Sequence, residues 1–174
     1  MNVIITAIGG SDRPGIIAAL TKAIYELGGN LDDATMTRLR GAFANMLAAT
    51  LPEGKTIADA QARLSPVAQE LDLQVAVYEI PDEEPQEEIS DHIISVYGAD
   101  QPGIVHRITS LLAEHGANIT DLDTRLAGVP SKPIYVMLLE TAGGDWTKLP
   151  EVLAERGKAL GVDITVREIE TETL

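Results

Sequence analysis

The 174-residue chain is 45% hydrophobic and 23% charged, enough for one domain of usual size or two small ones. With no cysteine it has no disulfides, no thiolate chemistry and no sulfur-ligated metal. Its net charge is −14 with no Lys/Arg cluster. This argues against direct binding to nucleic acid or to an anionic membrane, since both need cationic side chains at the phosphates. No apolar run approaches the ~20 residues that span a bilayer, and the apolar start MNVIITAIGG has no basic leader, so a cytoplasmic protein is expected.

In chain order, the β-rich run VIITAI (3–8) comes first. GGSDRPGI (9–16) follows, and then apolar residues at helical spacing: Ile16, Ile17, Leu20, Ile24 and Leu27. The helix is expected to stop at Gly28, where a left-handed cap favours glycine. A residue before proline avoids the helical region, so Arg13 is the expected N-cap and Pro14 the first helical residue. Two strands are expected at 30–39 and 43–51, a second helix at 56–71, and an alternating strand through Leu73, Val75 and Val77. Pro66 falls inside that second helix, where proline costs about 3 kcal/mol or a kink, unless Ser65-Pro66 restarts the helix. PDEEPQEE (81–88) then holds five of the acidic residues and reads as a solvated spacer, with a docking strip as the lesser reading.

After the spacer the series starts again. Asp12-Arg13-Pro14-Gly15-Ile16 matches Asp100-Gln101-Pro102-Gly103-Ile104, 88 residues later, and at the same offset LGGNL (27–31) matches HGANI (115–119). MTRLRG (36–41) resembles DTRLAG (123–128), NMLAAT (45–50) resembles VMLLET (136–141), and LDLQVAVYEI (71–80) resembles LGVDITVREI (160–169). Five blocks in one order indicate two copies of one domain, 1–81 and 91–174, joined by an acidic linker at 82–90. The second copy is expected to have a strand at 92–97, a helix from Ile104 to the stop at Gly116, strands at 118–127 and 134–141, a helix at 147–160 and a strand through Val162, Ile164 and Val166. Its hairpin is longer and carries Pro130 and Pro133. The order is βαββαβ, an α+β, ferredoxin-like fold with both helices on one face of a four-stranded antiparallel sheet. The other face is left for a partner.

With Asp-x-Pro-Gly opening the first helix and Gly-x-Asn closing it, each copy resembles the ACT domain, a regulatory small-molecule module. Two copies and nothing else resemble the glycine cleavage system transcriptional repressor family. The resemblance implies a non-catalytic regulator that binds a small amino acid, glycine or serine first, where the β1–α1 loop of one copy meets the α1–β2 turn of another. Carried over by position, the ligand contacts are Asp12, Gly15, Asn30, Asp100, Gly103 and Asn118. The implied partner is a protein, a transcription factor or a metabolic enzyme, and a homodimer is an option. No cofactor and no metal are implied. GGNLDD in the first copy against GANITD in the second means that the two sites need not be equivalent.

The residue types fit this chemistry. A zwitterion needs N–H donors for its carboxylate, which a helix start can supply, and an acceptor for its ammonium, which Asp12, Asp100 or an asparagine carbonyl can supply. Plainer readings stay open: the aspartates as caps or braces, the asparagines as turn residues, the glycines as packing positions. As an alternative function, the chain is a ligand-free assembly module held by sheet edges. An enzyme is disfavoured, because no nucleophile, P-loop or dinucleotide motif is present. His92, His106 and His115 have no evident partner; His106 is expected to be exposed and His115 to close a helix. Trp146 is expected to pack at the start of the last helix.

Overall fold

The computed structural model describes residues 1–81, 88–129 and 132–169. The chain divides into two compact units, Met1–Pro85 and Gln86–Leu174. Most of the acidic spacer, 82–87, and Pro130 lie outside the described residues.

The first unit runs β1 (Asn2–Gly9), α1 (Ile16–Glu26), β2 (Asn30–Leu39), β3 (Ala42–Thr50), α2 (Ile57–Leu71) and β4 (Leu73–Ile80). The sheet order is β2-β3-β1-β4, with every pair antiparallel. Alternation decides the faces: Val3, Ile5 and Ala7 are buried, together with Phe43, Leu47 and Ala49 of β3. They meet Ile16, Leu20 and Ile24 of α1 and Ala60 and Leu64 of α2. At the end of α1, Gly28 N–H donates to Tyr25 O (2.9 Å) and Gly29 N–H to Ile24 O (3.0 Å), the paired bonds of a Schellman cap with Gly28 left-handed. α2 starts on a capping box: Thr56 accepts from Asp59 N–H, and the Asp59 carboxylate accepts from Thr56 N–H (2.8 Å) and Thr56 Oγ1 (2.8 Å). These bonds hold the Asp59 carboxyl below its usual pKa. Pro66 does not restart α2, which continues through it to Leu71.

The second unit repeats the plan with β5 (His92–Ala99), α3 (Ile104–Glu114), β6 (Asn118–Val129), β7 (Lys132–Ala142), α4 (Leu149–Leu160) and β8 (Val162–Glu168). Its sheet order is β6-β7-β5-β8 around a separate core that includes Ile94, Val96, Ile108, Met137 and Leu139. The Schellman bonds recur from Gly116 to Ala113 O (3.1 Å) and from Ala117 to Leu112 O (3.0 Å). Both edge strands carry a bulge at one place, between Leu31 and Asp33 and between Ile119 and Asp121.

Three expectations need correction. The first helix of each unit starts later than the proline rule suggests. Gly15 (φ 98°) and Gly103 (φ 90°) are left-handed and serve as N-caps, so Pro14 and Pro102 belong to the preceding turn. The letter match between MTRLRG and DTRLAG is one residue out. Arg38 pairs across the sheet with buried Phe43, whereas Arg125 pairs with Val136 on the opposite face. A slip of one residue reverses every side chain, so the true counterpart of Arg38 is Leu126, and that of Asn45 is Met137. His92 also has partners. Its ring stacks on Trp146 at 3.7 Å and 11°, and its Nδ1 lies 2.7 Å from Asp91 Oδ1. Burial pushes the Asp91 carboxyl up, but the His92 ring and the Gly143 N–H (2.8 Å) together hold it below its usual pKa.

Candidate ligand-binding corners

The β1–α1 corner of the first unit is built on a left-handed glycine. A Cβ at Gly15 would meet nothing within 4 Å, so glycine is there for its backbone angle and not for packing. The glycine that packing requires is Gly9, where a Cβ would fall 2.6 Å from Phe43. Entering α1 from Gly15 leaves the N–H groups of residues 16–18 without a side-chain cap and with no acidic residue in the first turn. Arg13 turns away from this start and donates from Nη2 to Glu70 O (3.1 Å), at the C-terminal end of α2, where a cation is favoured. Gln101, at the same place in the second unit, donates from Nε2 to Leu160 O, the last residue of α4.

Asp12 caps nothing. Its Oδ2 lies 3.5 Å from Nη1 of Arg38, on the same side of β2 as Met36. A cleft of about 350 Å³ opens here, lined by Asp12, Gly15, Ile16, Ile17, Met36 and Phe43 among others. That is sufficient for a small ligand with an apolar wall and one acidic group. Asn45 lies next to the cleft, opposite Met36 in the ladder and two residues after Phe43. It is 3% exposed, and its Oδ1 has no hydrogen-bond partner among the described residues.

In the second unit, Gly103 is left-handed in the same way, with Arg107 Nε 3.6 Å from where a Cβ would stand. Tyr135 replaces Phe43, Thr124 replaces Met36 and Leu126 replaces Arg38. The Tyr135 hydroxyl lies 3.9 Å from Met137 Sδ. Burial first, and then the charge of Asp100, push its pKa above the usual value, against a hydrogen bond with Thr124.

The two asparagines lie beyond the other end of each first helix, at the start of β2 and β6. Asn30 Nδ2 donates to Asp32 Oδ1 (2.7 Å) and Asn118 Nδ2 to Glu88 Oε2 (2.5 Å), which leaves the side-chain carbonyls as acceptors. Thr50 Oγ1 donates to Asp32 Oδ2 (2.7 Å), and this bond, followed by the Asn30 bond, lowers the Asp32 pKa. Within one unit Asp12 and Asn30 are not brought together, because the 11 residues of α1, about 16 Å of helix, separate them. Asp100 and Asn118 are separated likewise by α3. Sequence reasoning missed Arg38 and Asn45. Asn45 left a readable signal as the one polar residue in the buried series Phe43, Asn45, Leu47, Ala49.

Two ferredoxin-like modules with a left-handed Pro-Gly corner define a tandem protein of one repeated class. The chain belongs to the ACT domain family, which it matches at residues 2–78 and again at 90–167. It is 40% identical over 75 residues to a UPF0237 protein of Methanopyrus kandleri, covering 43% of this chain and 83% of that one. It is 36% identical over 78 residues to another from Pyrobaculum aerophilum, covering 45% and 87%. Among solved structures, a protein of unknown function from Galdieria sulphuraria superposes with TM-score 0.79 at 24% identity, over 97% of this chain and 98% of that one. A candidate glycine cleavage system transcriptional repressor superposes with TM-score 0.67 at 18% identity, over 98% of each chain. These two likenesses extend over both modules and show the fold. Among the described residues, no helix is long and apolar enough to cross a membrane, and no three His, Asp or Glu side chains are grouped to hold a metal.

Proposed function

We propose that this chain is a non-catalytic cytoplasmic regulator. Its two modules, 1–81 and 91–174 with the acidic spacer 82–90 between them, sense a small amino acid, with glycine and serine the first to try. The ligand sits where the Asp-x-Pro-Gly corner of one ACT module meets the Asn-bearing turn of another. Asp12, Gly15, Asp100 and Gly103 belong to the corners, and Asn30 and Asn118 to the turns. The observation that carries the reading is the acid-lined cleft at the first corner, beside a helix start that no side chain caps. Binding shifts the balance between arrangements that a protein partner distinguishes, a transcription factor or a metabolic enzyme. The likeness to the candidate glycine cleavage repressor supports trying the first of these.

Thermal-shift screening against the twenty amino acids tests the reading. A ligand at 100 times its Kd adds about 2.7 kcal/mol of stability. No stabilisation by any of them would favour a ligand-free assembly module. Specific residues favour that second reading: Ile8, Met46 and Tyr78 are exposed on the sheet face that the first unit's helices leave open.

A further inference from the structure

The two corners share a backbone, and Asp12, Pro14, Gly15 and Ile16 recur as Asp100, Pro102, Gly103 and Ile104, but Met36, Arg38, Phe43 and Asn45 give way to Thr124, Leu126, Tyr135 and Met137. We propose that the first unit alone carries the amino-acid site, with Arg38 receiving the ligand carboxylate and Asp12 its ammonium. This rests on the amino-acid reading above, narrows it from two corners to the first, and adds the residue that anchors the carboxylate and the kind of ligand side chain preferred.

Arg38 and Asp12 pair with each other at 3.5 Å, with side chains 68% and 32% exposed. An ion pair this open contributes little, so exchanging it for two pairs with a zwitterion is cheap and leaves no charge alone. The planar guanidinium matches a carboxylate with two parallel hydrogen bonds. The second unit presents its cation differently: Arg107 of α3, and no residue of β6, lies beside Gly103, 3.6 Å from where a Cβ would stand. Leu126 stands at the Arg38 position, and Arg125 lies on the other face, paired with Asp123 at 2.5 Å.

Asn45 gives a second, independent observation. Its Oδ1 is a buried acceptor with no donor among the described residues, and Met36 and Phe43, both lining the cleft, are its cross-strand and same-strand neighbours. Met36 is 46% exposed and unbranched, so it can swing aside. A ligand side chain with a hydroxyl then gains a partner that hydrogen and methyl side chains do not. Serine is favoured over glycine and alanine for this reason. In the second unit this place is held by Met137, in reach of the Tyr135 hydroxyl.

The test is isothermal titration of the full chain with serine, glycine and alanine, on wild type and on Arg38→Gln, Asp12→Asn, Arg107→Gln and Asn45→Leu, each checked for native circular dichroism. One serine is expected per chain. Arg38→Gln and Asp12→Asn each weaken it by about tenfold or more, as expected for a lost charged hydrogen bond. Arg107→Gln, at the second corner, binds like wild type. Asn45→Leu, with its melting temperature unchanged or raised, loses the serine preference and keeps glycine binding. Two ligands per chain, or loss of binding in Arg107→Gln with retention in Arg38→Gln, overturns the inference and leaves the amino-acid reading intact. Equal affinity of wild type for serine, glycine and alanine removes the role given to Asn45. No heat from wild type with any of the twenty amino acids overturns both.

Discussion

Where the first unit has Met36, Arg38, Phe43 and Asn45, the second has Thr124, Leu126, Tyr135 and Met137. Around these positions the backbones agree: the left-handed glycine, the Schellman cap and the bulge all recur. The two units keep the parts that shape the chain, and Asp12, Gly15 and Asn30 with them as Asp100, Gly103 and Asn118, and differ in the strand residues beside the first cleft. One corner is an open cleft whose Asp12 pairs with Arg38, and whose Met36 stands opposite Asn45, with its Oδ1 unmet among the described residues. At the other, a phenol hydroxyl lies beside threonine and methionine, and the cation beside Gly103 is Arg107, on the helix and not on the strand.

The comparison can be broken or sharpened by paired substitutions. The largest effects in this comparison are expected at Gly9 and Gly98, packing glycines near the end of the first strand of each unit. A Cβ at Gly9 would meet side-chain atoms of Phe43 and Leu73, while one at Gly98 would meet Val162 Cα at 3.0 Å and Gly161 O at 3.1 Å, backbone that cannot swing away. Overpacking costs about 1–3 kcal/mol, so Gly9→Ala and Gly98→Ala should both destabilise in urea melts, the second more. Next come Gly15→Ala and Gly103→Ala, each about 1–2 kcal/mol from left-handed strain without a clash. Unequal losses there would show that the corners differ in backbone as well as in side chains.

Phe43→Tyr copies the second corner into the first. Its hydroxyl is expected to reach Asn45 Oδ1, gaining about 1 kcal/mol of stability while filling the cleft and weakening any ligand. A variant that gains stability and binds as before would separate the cleft from the function. The smallest effect belongs to Asp91, which has its stacked neighbour only in the second unit. Its folded pKa is lowered, so its contribution is fully present above the unfolded value, about 3.9, and is lost as pH falls through the lower folded value. The advantage of wild type over Asp91→Asn in urea should therefore shrink below about pH 4. Trp146 is the single tryptophan and stacks on the neighbouring His92, so its fluorescence reports this for the second unit.

Element order and both cores were legible because periodicity records burial directly. Val3, Ile5 and Ala7 alternate, and Ile16, Leu20 and Ile24 recur at helical spacing, as the structure has them. The corner was less legible. The rule for residues before proline is sound, but a left-handed glycine after the proline moves the helix start to Ile16. The register of β6 was hidden by a coincidence of letters, because Thr-Arg-Leu occurs in both edge strands one step apart. The Asp12–Arg38 contact joins residues on separate elements, and nothing local in the sequence announces it.

Arg13 and Gln101 each strap their loop to the far end of the second helix in the same unit. Whatever tilts the loop therefore pulls on the point where that helix turns into the last strand, through Asp72 in one unit and Gly161 in the other, both left-handed. In each unit the loop follows a residue paired directly with the start of the last strand, Gly9 with Leu73 and Gly98 with Val162, so a shift of a few loop atoms is felt next door, at a ready pivot.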